Sequence, residues 1–370
     1  MQQNQDRVCV RPEALKRFCM DVFQRLGVPA EDAAITADVL VAADLRGIDS
    51  HGVARLRRYV NQLQNGLALP RPEIQVVRDT PAVALIDAGA GLGQPVSHRA
   101  MEMAIDKARQ VGAGFVTVRN SNHYGIAGYY AMMALEQDCI GISMTTASPT
   151  VTPTHGQLPM VGTNPIAVAA PAGQAPPFVL DMATSVVARG KVEVKNRLGE
   201  PLPVGWAADN AARPVTDASR LADGPSQAGG WGLLPLGGAG EMLGGHKGYG
   251  LALVVEILSA LLSGAAYADL SYPRTPEGKP LPSQIGHFFG AWYVDSLRPV
   301  GEFKADMDDL QHRLRDAPKA EGQDRIYIPG EKEHEEAERR AKAGIPVLCT
   351  VADDLAALAE EREVGATVAD

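Results

Sequence analysis

No Rossmann glycine fingerprint occurs in this chain. Gly89, Gly91 and Gly93 are spaced G-x-G-x-G, and Gln94 stands where the nucleotide turn needs its last glycine. Residues 240–248, GEMLGGHKG, have His246 where a P-loop requires lysine, and no Ser or Thr follows. No two histidines share H-x-x-x-H spacing and no G-x-S-x-G occurs, which argues against a zinc site or a nucleophile elbow. The four cysteines, Cys9, Cys19, Cys139 and Cys349, lie far apart without a C-x-x-C pair, a pattern of reduced thiols rather than disulfides or metal ligands. Lys and Arg are scattered over a chain of net charge −9, so the basic footprint of a nucleic-acid binder is missing. Residues 1–17 are polar and lack the apolar core of a signal peptide, which gives a cytoplasmic expectation. No internal repeat is visible.

What is present suits a globular enzyme. The 370 residues are 45% hydrophobic and 21% charged, enough for about two domains. Residues 11–26, 30–45 and 51–64 repeat apolar positions at helical spacing, with Pro12 and Pro29 at helix starts. The Pro/Gly stretch 66–72 closes this helical unit, taken as residues 1–72. Short apolar runs at 83–87, 114–118, 140–144, 166–169 and 178–180 then alternate with helical segments at 95–111 and 128–137, the pattern of an α/β layer over residues 73–330. Residues 202–230 read as a long irregular connection. Residues 248–266 are the most hydrophobic run; Glu256 in the middle argues for a buried helix and against a membrane span. Residues 331–370, with a surface helix, a strand near 345–350 and a last helix at 353–361, are expected to pack on the core.

Residues 43–59 join a helix end, a polar corner and a second helix start. Asp49 or Ser50 is a plausible cap for that second helix. Begun near His51, it sets His51, Arg55 and Tyr59 at i, i+4 and i+8 on one face, while Val53, Leu56, Val60 and Leu63 form an apolar stripe. An arginine can hold a carboxylate in a bidentate fork and a histidine can exchange a proton near neutrality. A helix-turn-helix corner with a solvated face is the plain alternative, and residues 31–64 could be read as a nucleic-acid reader but for the acidic balance. Asn120-Ser121-Asn122-His123-Tyr124-Gly125 follows a strand end, a frequent place for catalysis in α/β folds. Gly162-Thr163-Asn164-Pro165 opens a strand, Phe178 to Ser185 runs from a strand toward a helix mouth, and Gly245-His246-Lys247-Gly248 starts the hydrophobic run.

These segments, in this order, together with Ile328-Pro329-Gly330-Glu331, resemble the malate/L-lactate dehydrogenase family of the non-Rossmann, L-sulfolactate dehydrogenase-like type. The resemblance covers most of the chain. It implies an α/β fold with a non-Rossmann mixed-sheet dinucleotide-binding core and an N-terminal helical domain. It implies an NAD(P)-dependent 2-hydroxyacid dehydrogenase, most simply one interconverting L-malate and oxaloacetate. Lactate or sulfolactate oxidation and reduction of a cyclic imine such as piperideine-2-carboxylate are the alternatives within the family; a non-catalytic dinucleotide-binding protein is the alternative outside it. In some members the histidine matching His123 exchanges the proton, in others the one matching His51; His123 is favoured here, with His51 orienting the substrate. Ser50, Arg55, Tyr59, Thr163 and Asn164 are expected on the substrate side. Asp181, Met182, Ala183, Thr184, Ser185, Val186 and Val187, then His246, Lys247 and Gly248, then Pro329, Gly330 and Glu331 are expected around NAD or NADP. No metal is expected, and a homodimer with its site near the subunit interface is implied. Ala147, with Ser148 beside it, replaces a substrate-binding serine of the ureidoglycolate enzyme, which counts against that substrate.

Overall fold

The computed structural model describes residues 7–222 and 230–365. Strand β1 (Arg7–Val10) leads into α1 (Pro12–Arg25), whose Leu15, Phe18, Cys19, Val22 and Phe23 fall on one buried face at helical spacing. Helix α2 (Ala30–Leu45) starts at the Pro29 cap and is buried on most sides. The second helix does not start at His51 as the sequence predicts. Residues 49–52 form a tight corner, a 3-10 turn covers Val53–Arg55, and α3 runs only over Leu56–Gln64. Neither Asp49 nor Ser50 caps it; Asp44, at the end of α2, accepts the Val53 N–H at 2.8 Å. Burial pushes the Asp44 carboxyl up to about 8, opposed by that hydrogen bond.

The sheet follows. It contains β2 (Gln75–Asp79), β3 (Val83–Asp87), then α4 (Gly93–Val111) and β4 (Ala113–Ser121), α5 (Ala127–Met133), β5 (Cys139–Thr145), β6 (Ile166–Ala170) and β7 (Phe178–Met182). Helix α4 stops where Gly112 takes φ 95, the left-handed conformation a C-terminal glycine supplies without a Cβ clash. Beyond β7 come α6 (Arg189–Arg197), β8 (Ala207–Asp209), α7 (Ser219–Ala222), β9 (Trp231–Leu233) and α8 (Gly245–Val255), which continues as a π-helical turn over Glu256–Leu261. Strand β10 (Ile285–Tyr293), α9 (Val300–Asp316), α10 (Glu331–Ala343), β11 (Ile345–Leu348) and α11 (Cys349–Arg362) complete the chain.

The main sheet is seven-stranded, in the order β2-β3-β4-β10-β5-β6-β7. Only β3 and β4 pair in parallel; every other neighbour is antiparallel. A mixed sheet of this order is not a doubly wound Rossmann sheet, whose strands are mostly parallel. Its central strand, β10, has no forerunner in the sequence reading. Of the connection expected at 202–230, residues 223–229 lie outside the described residues; Ala207–Asp209 forms β8, which pairs with β9 around buried Ala207, Trp231 and Leu233.

The described C-terminal segment starts beside β7, where Lys332 and Glu333 share a cavity with Val179 and Asp181, and then packs on the N-terminal helices. Strand β11 pairs antiparallel with β1, and Leu355, Leu358 and Ala359 of α11 join the core formed by α1, α2 and α3. The reason is apolar complementarity: the N-terminal helices leave a face that α11 covers. The hydrophobic run at 248–266 is half-buried rather than buried. Ala252, Val255, Glu256, Ser259 and Ala260 face inward, while Leu251, Val254, Ile257 and Leu261 are 37 to 52% exposed. Among the described residues no helix is long and apolar enough to cross a membrane.

The corner at residues 49–52 depends on Gly52. A Cβ there would lie 1.9 to 2.3 Å from the Asp44 carboxyl atoms, which are already committed to Val53. Gly52→Ala is expected to destabilise the fold by about 1–3 kcal/mol, read as a lower urea midpoint at unchanged slope.

Candidate active site

Two histidines meet at the corner. His123 lies just past the end of β4, and its Nδ1 is 2.7 Å from the Tyr59 hydroxyl of α3. The Gly125 N–H also donates to this Nδ1, at 3.3 Å. His51 stacks on His123 with ring centroids 5.7 Å apart and planes 20° apart, and its Nδ1 is 2.9 Å from the Ser50 hydroxyl. Tyr59 is fully buried, so it is not on the solvated helix face that its spacing suggests. Burial, then Arg55 and Arg58, hold the His51 imidazole down at about 4; burial and Arg58 hold His123 well below its ordinary range. Both rings are therefore neutral at pH 7.

Arginines surround this pair. Arg55 donates through Nε to the Ser50 carbonyl at 2.7 Å and pairs through Nη2 with Glu193 of α6 at 2.8 Å. Arg189, the first residue of α6, lies 3.3 Å from the other Glu193 oxygen. Burial pushes the Tyr272 phenol up, opposed by Arg58, Arg189 and Ser148 beside it. Sequence reasoning missed Arg189, Glu193 and Tyr272; the first two follow directly on the D-M-A-T-S segment, the one signal that could have flagged them. It also missed His287 of β10, buried beneath the site with Nδ1 2.7 Å from Thr145 Oγ1 and Nε2 2.7 Å from Ser121 Oγ.

A cleft of about 590 Å³ opens from His51. Ser50, His51 and Thr163 line it together with Asp181, Met182, Ala183, Ser185, Val186 and Val187. A second cavity of about 280 Å³ shares Ile48, Asp181 and Glu333 with it and runs on to Tyr327, Pro329 and Gly330. The D-M-A-T-S and P-G-E segments thus line two adjoining cavities. Thr184 is an exception, buried with its hydroxyl on the Thr163 and Asn164 carbonyls. Glu331 is another, since it holds Arg315 and Arg325 and accepts the Ile328 N–H. Asn164 turns away from the cleft: its amide donates to Glu256 and the Ala252 carbonyl, and its oxygen accepts from Ala147 N–H. His246 and Lys247 are exposed on an adjoining concavity that meets the cleft only at Leu236, while Gly248 packs on the Leu236 backbone.

Several residues along these cavities have the chemistry to hold a dinucleotide. Asp181 caps α5 through the Gly128 N–H at 2.7 Å and presents a carboxylate for a sugar hydroxyl. The N-terminus of α6 and Lys191 stand at the cleft wall, where phosphate is favoured. Among the described residues no group of three or more His, Cys, Asp or Glu side chains is placed to hold a metal ion.

Comparison with known proteins agrees with this geometry. The family model for malate/L-lactate dehydrogenase matches residues 10–356. The chain belongs to that family. It is 46% identical to a malate dehydrogenase of Pyrococcus abyssi, over 98% of this chain and 96% of that one. It is 41% identical to an L-sulfolactate dehydrogenase of Methanocaldococcus jannaschii, over 90% and 91%. The solved malate dehydrogenase of Pyrococcus horikoshii superposes with a TM-score of 0.88 at 42% identity, covering 98% of both chains. This family member is accordingly an oxidoreductase acting on the CH–OH group of a small hydroxy acid, with a nicotinamide cofactor.

If one of these histidines accepts the substrate proton, its depressed pKa sets the pH behaviour of the enzyme. Oxidation of a hydroxy acid needs an unprotonated imidazole, and a ring held at about 4 keeps that form well below its ordinary 6.5. The kcat/KM profile for oxidation, which reports the free enzyme, is expected to show no acid limb near pH 6.5 and to fall only toward pH 4. The same depression makes unfolding take up protons: the stability it contributes is complete above pH 6.5 and is lost as pH falls toward about 4. Urea midpoints measured across that window check the sign.

Proposed function

We propose that the protein is an NAD(P)-dependent malate dehydrogenase interconverting L-malate and oxaloacetate. The observation that carries the reading is the pair of stacked, neutral histidines set among arginines, with His51 lining the cleft. The malate dehydrogenases among its relatives support the substrate. Arg55 holds the carboxylate next to the reacting carbon with the N–H groups that Ser50 and Glu193 leave free. One imidazole takes the hydroxyl proton as C2 loses hydride, and the bound nicotinamide supplies the hydride acceptor.

Hydrogen bonding divides the two imidazole roles. Gly125 N–H can only donate, so the neutral His123 ring accepts at Nδ1 and carries its proton at Nε2. That form polarises a substrate oxygen but does not accept a proton from it. The Ser50 hydroxyl beside His51 Nδ1 can donate or accept, so His51 Nε2 is free to be a base. His51 therefore takes the proton and His123 steadies the oxygen, reversing the emphasis that the motif alone suggests. A sulfonated acid is the second reading, favoured by the sulfolactate relative.

A 340 nm assay offering NADH and NADPH with oxaloacetate, pyruvate, sulfopyruvate and piperideine-2-carboxylate tests this. Oxaloacetate is expected to turn over fastest, with His51→Ala losing about 100-fold or more and His123→Ala about 10- to 100-fold. Turnover confined to the imine would refute the malate reading; full activity in His51→Ala would return the proton to His123.

The same reading includes a homodimer. Leu251, Val254, Ile257 and Leu261 make an exposed apolar stripe along one helical face beside the cleft-adjoining Lys247. Ile257→Glu combined with Leu261→Glu is expected to halve the mass seen by light scattering; a wild-type monomer would overturn it.

A further inference from the structure

Gly89, Gly91 and Gly93, which do not make a nucleotide turn, have another task in this fold. Their segment is stitched to the His123 loop: Ala90 N–H donates to the Asn120 carbonyl at 2.9 Å, and the Asn122 amide donates to the Gly91 carbonyl at 2.8 Å. Helix α4 begins at Gly93, where a Cβ would lie 2.2 Å from the Asn122 carbonyl oxygen and 2.7 Å from that of His123. Only glycine lets the helix start against that loop, and the docking carries the next residue, Gln94, in beside Tyr59.

Gln94 is 0% exposed, and neither its amide nitrogen nor its amide oxygen has a hydrogen-bond partner. A buried amide left open at both ends is costly, so what stands next to it matters. Burial pushes the Tyr59 phenol up to about 12, opposed by Arg58, Arg55 and the Gln94 amide beside it. Among the described residues that phenol makes a single hydrogen bond, at 2.7 Å with His123 Nδ1. Ser97, a neighbour of Gln94 at i+3 on α4, is also fully buried with an open hydroxyl.

A phenol that meets an imidazole nitrogen can point either way. Where it donates, Nδ1 accepts and the ring proton sits on Nε2; where it accepts, the ring proton sits on Nδ1. A second donor aimed at the phenol oxygen favours the first arrangement, because the phenol proton is then left to His123. An acceptor there would favour the second. The Gln94 amide offers both, and the Ser97 hydroxyl can serve its oxygen, which leaves its nitrogen for the phenol.

We propose that Gln94 is a positioning residue: its amide N–H donates to the Tyr59 oxygen, the phenol proton is thereby committed to His123 Nδ1, and His123 keeps its own proton on Nε2 to steady the substrate oxygen. The inference rests on the dehydrogenase reading above and supplies what holds His123 in the role given there. The Gly125 N–H acts in the same sense from 3.3 Å, a longer and weaker contact.

The first test needs no turnover. In NMR of protein labelled at its histidine nitrogens, with His123 assigned by its loss in His123→Ala, the wild-type ring is expected to be neutral and protonated on Nε2. In Gln94→Met and Gln94→Leu a substantial share of the Nδ1-protonated form is expected to appear. The second test is a cycle with Tyr59→Phe. Gln94→Met is expected to lower kcat about 10-fold with KM little changed, and to cost little more once Tyr59 is already Phe, since both act through one chain. A ring that stays wholly in the Nε2 form in both Gln94 variants, or losses that multiply in the double variant, would overturn the inference. A wild-type ring protonated on Nδ1 would sink it together with the division of imidazole roles. If no keto acid turns over, the dehydrogenase reading fails while the tautomer shift still decides this one.

Discussion

The hydrogen bond between the Tyr59 hydroxyl and His123 Nδ1 is the contact on which the site depends. Tyr59 belongs to the N-terminal helical layer and His123 to the end of a central sheet strand. A fully buried phenol needs a polar partner, so packing α3 on the sheet and fixing the His123 ring are one event. Other ties hold the two layers in the same register. Asp44 locks the corner to α2, and Arg340 of α10 donates to the Asp44 carbonyl and to Asp49. The C-terminal segment thus braces the corner from outside while the sheet receives it from within.

Electrostatics then follow from burial. Neutral imidazoles among guanidinium groups look wasteful until the substrate charge is counted. Arg55 and Arg58 both depress His51, and Glu193 opposes them only in part. Any carboxylate seated beside these arginines opposes them further, so the base becomes stronger when an anionic substrate is in place. On the proposed reading, the arginines and the histidines are therefore one electrostatically coupled system.

Much of this was legible from sequence, for physical reasons. Amphipathic helices and half-buried strands carry their period, so α1, α2, β3, β5 and α10 were placed within a few residues. Strand β10 was not, because IGHFFGAWY is buried on both faces and shows no alternation. The motif segments marked the site without its wiring. Asp44 caps a turn nine residues away, and Arg189 reaches Arg55 only through Glu193. Such contacts arise from tertiary packing, which neither spacing nor propensity encodes.

The hydrophobic run after Lys247 shows the same limit from the other side. Composition reports that a helix avoids water but not what covers it, and interiors and subunit contacts share one composition. Here Glu256 explains the asymmetry. Its carboxylate accepts from the Asn164 amide and from Ala268 N–H, so the charged residue is turned inward while Ile257 and Leu261 point out. It sits at the π-helical turn, where the widened backbone lets the helix change face. Asn164 ties this helix to the cleft wall: its amide donates to Glu256 and to the Ala252 carbonyl, while Thr163 and Pro165 on either side of it line the cleft.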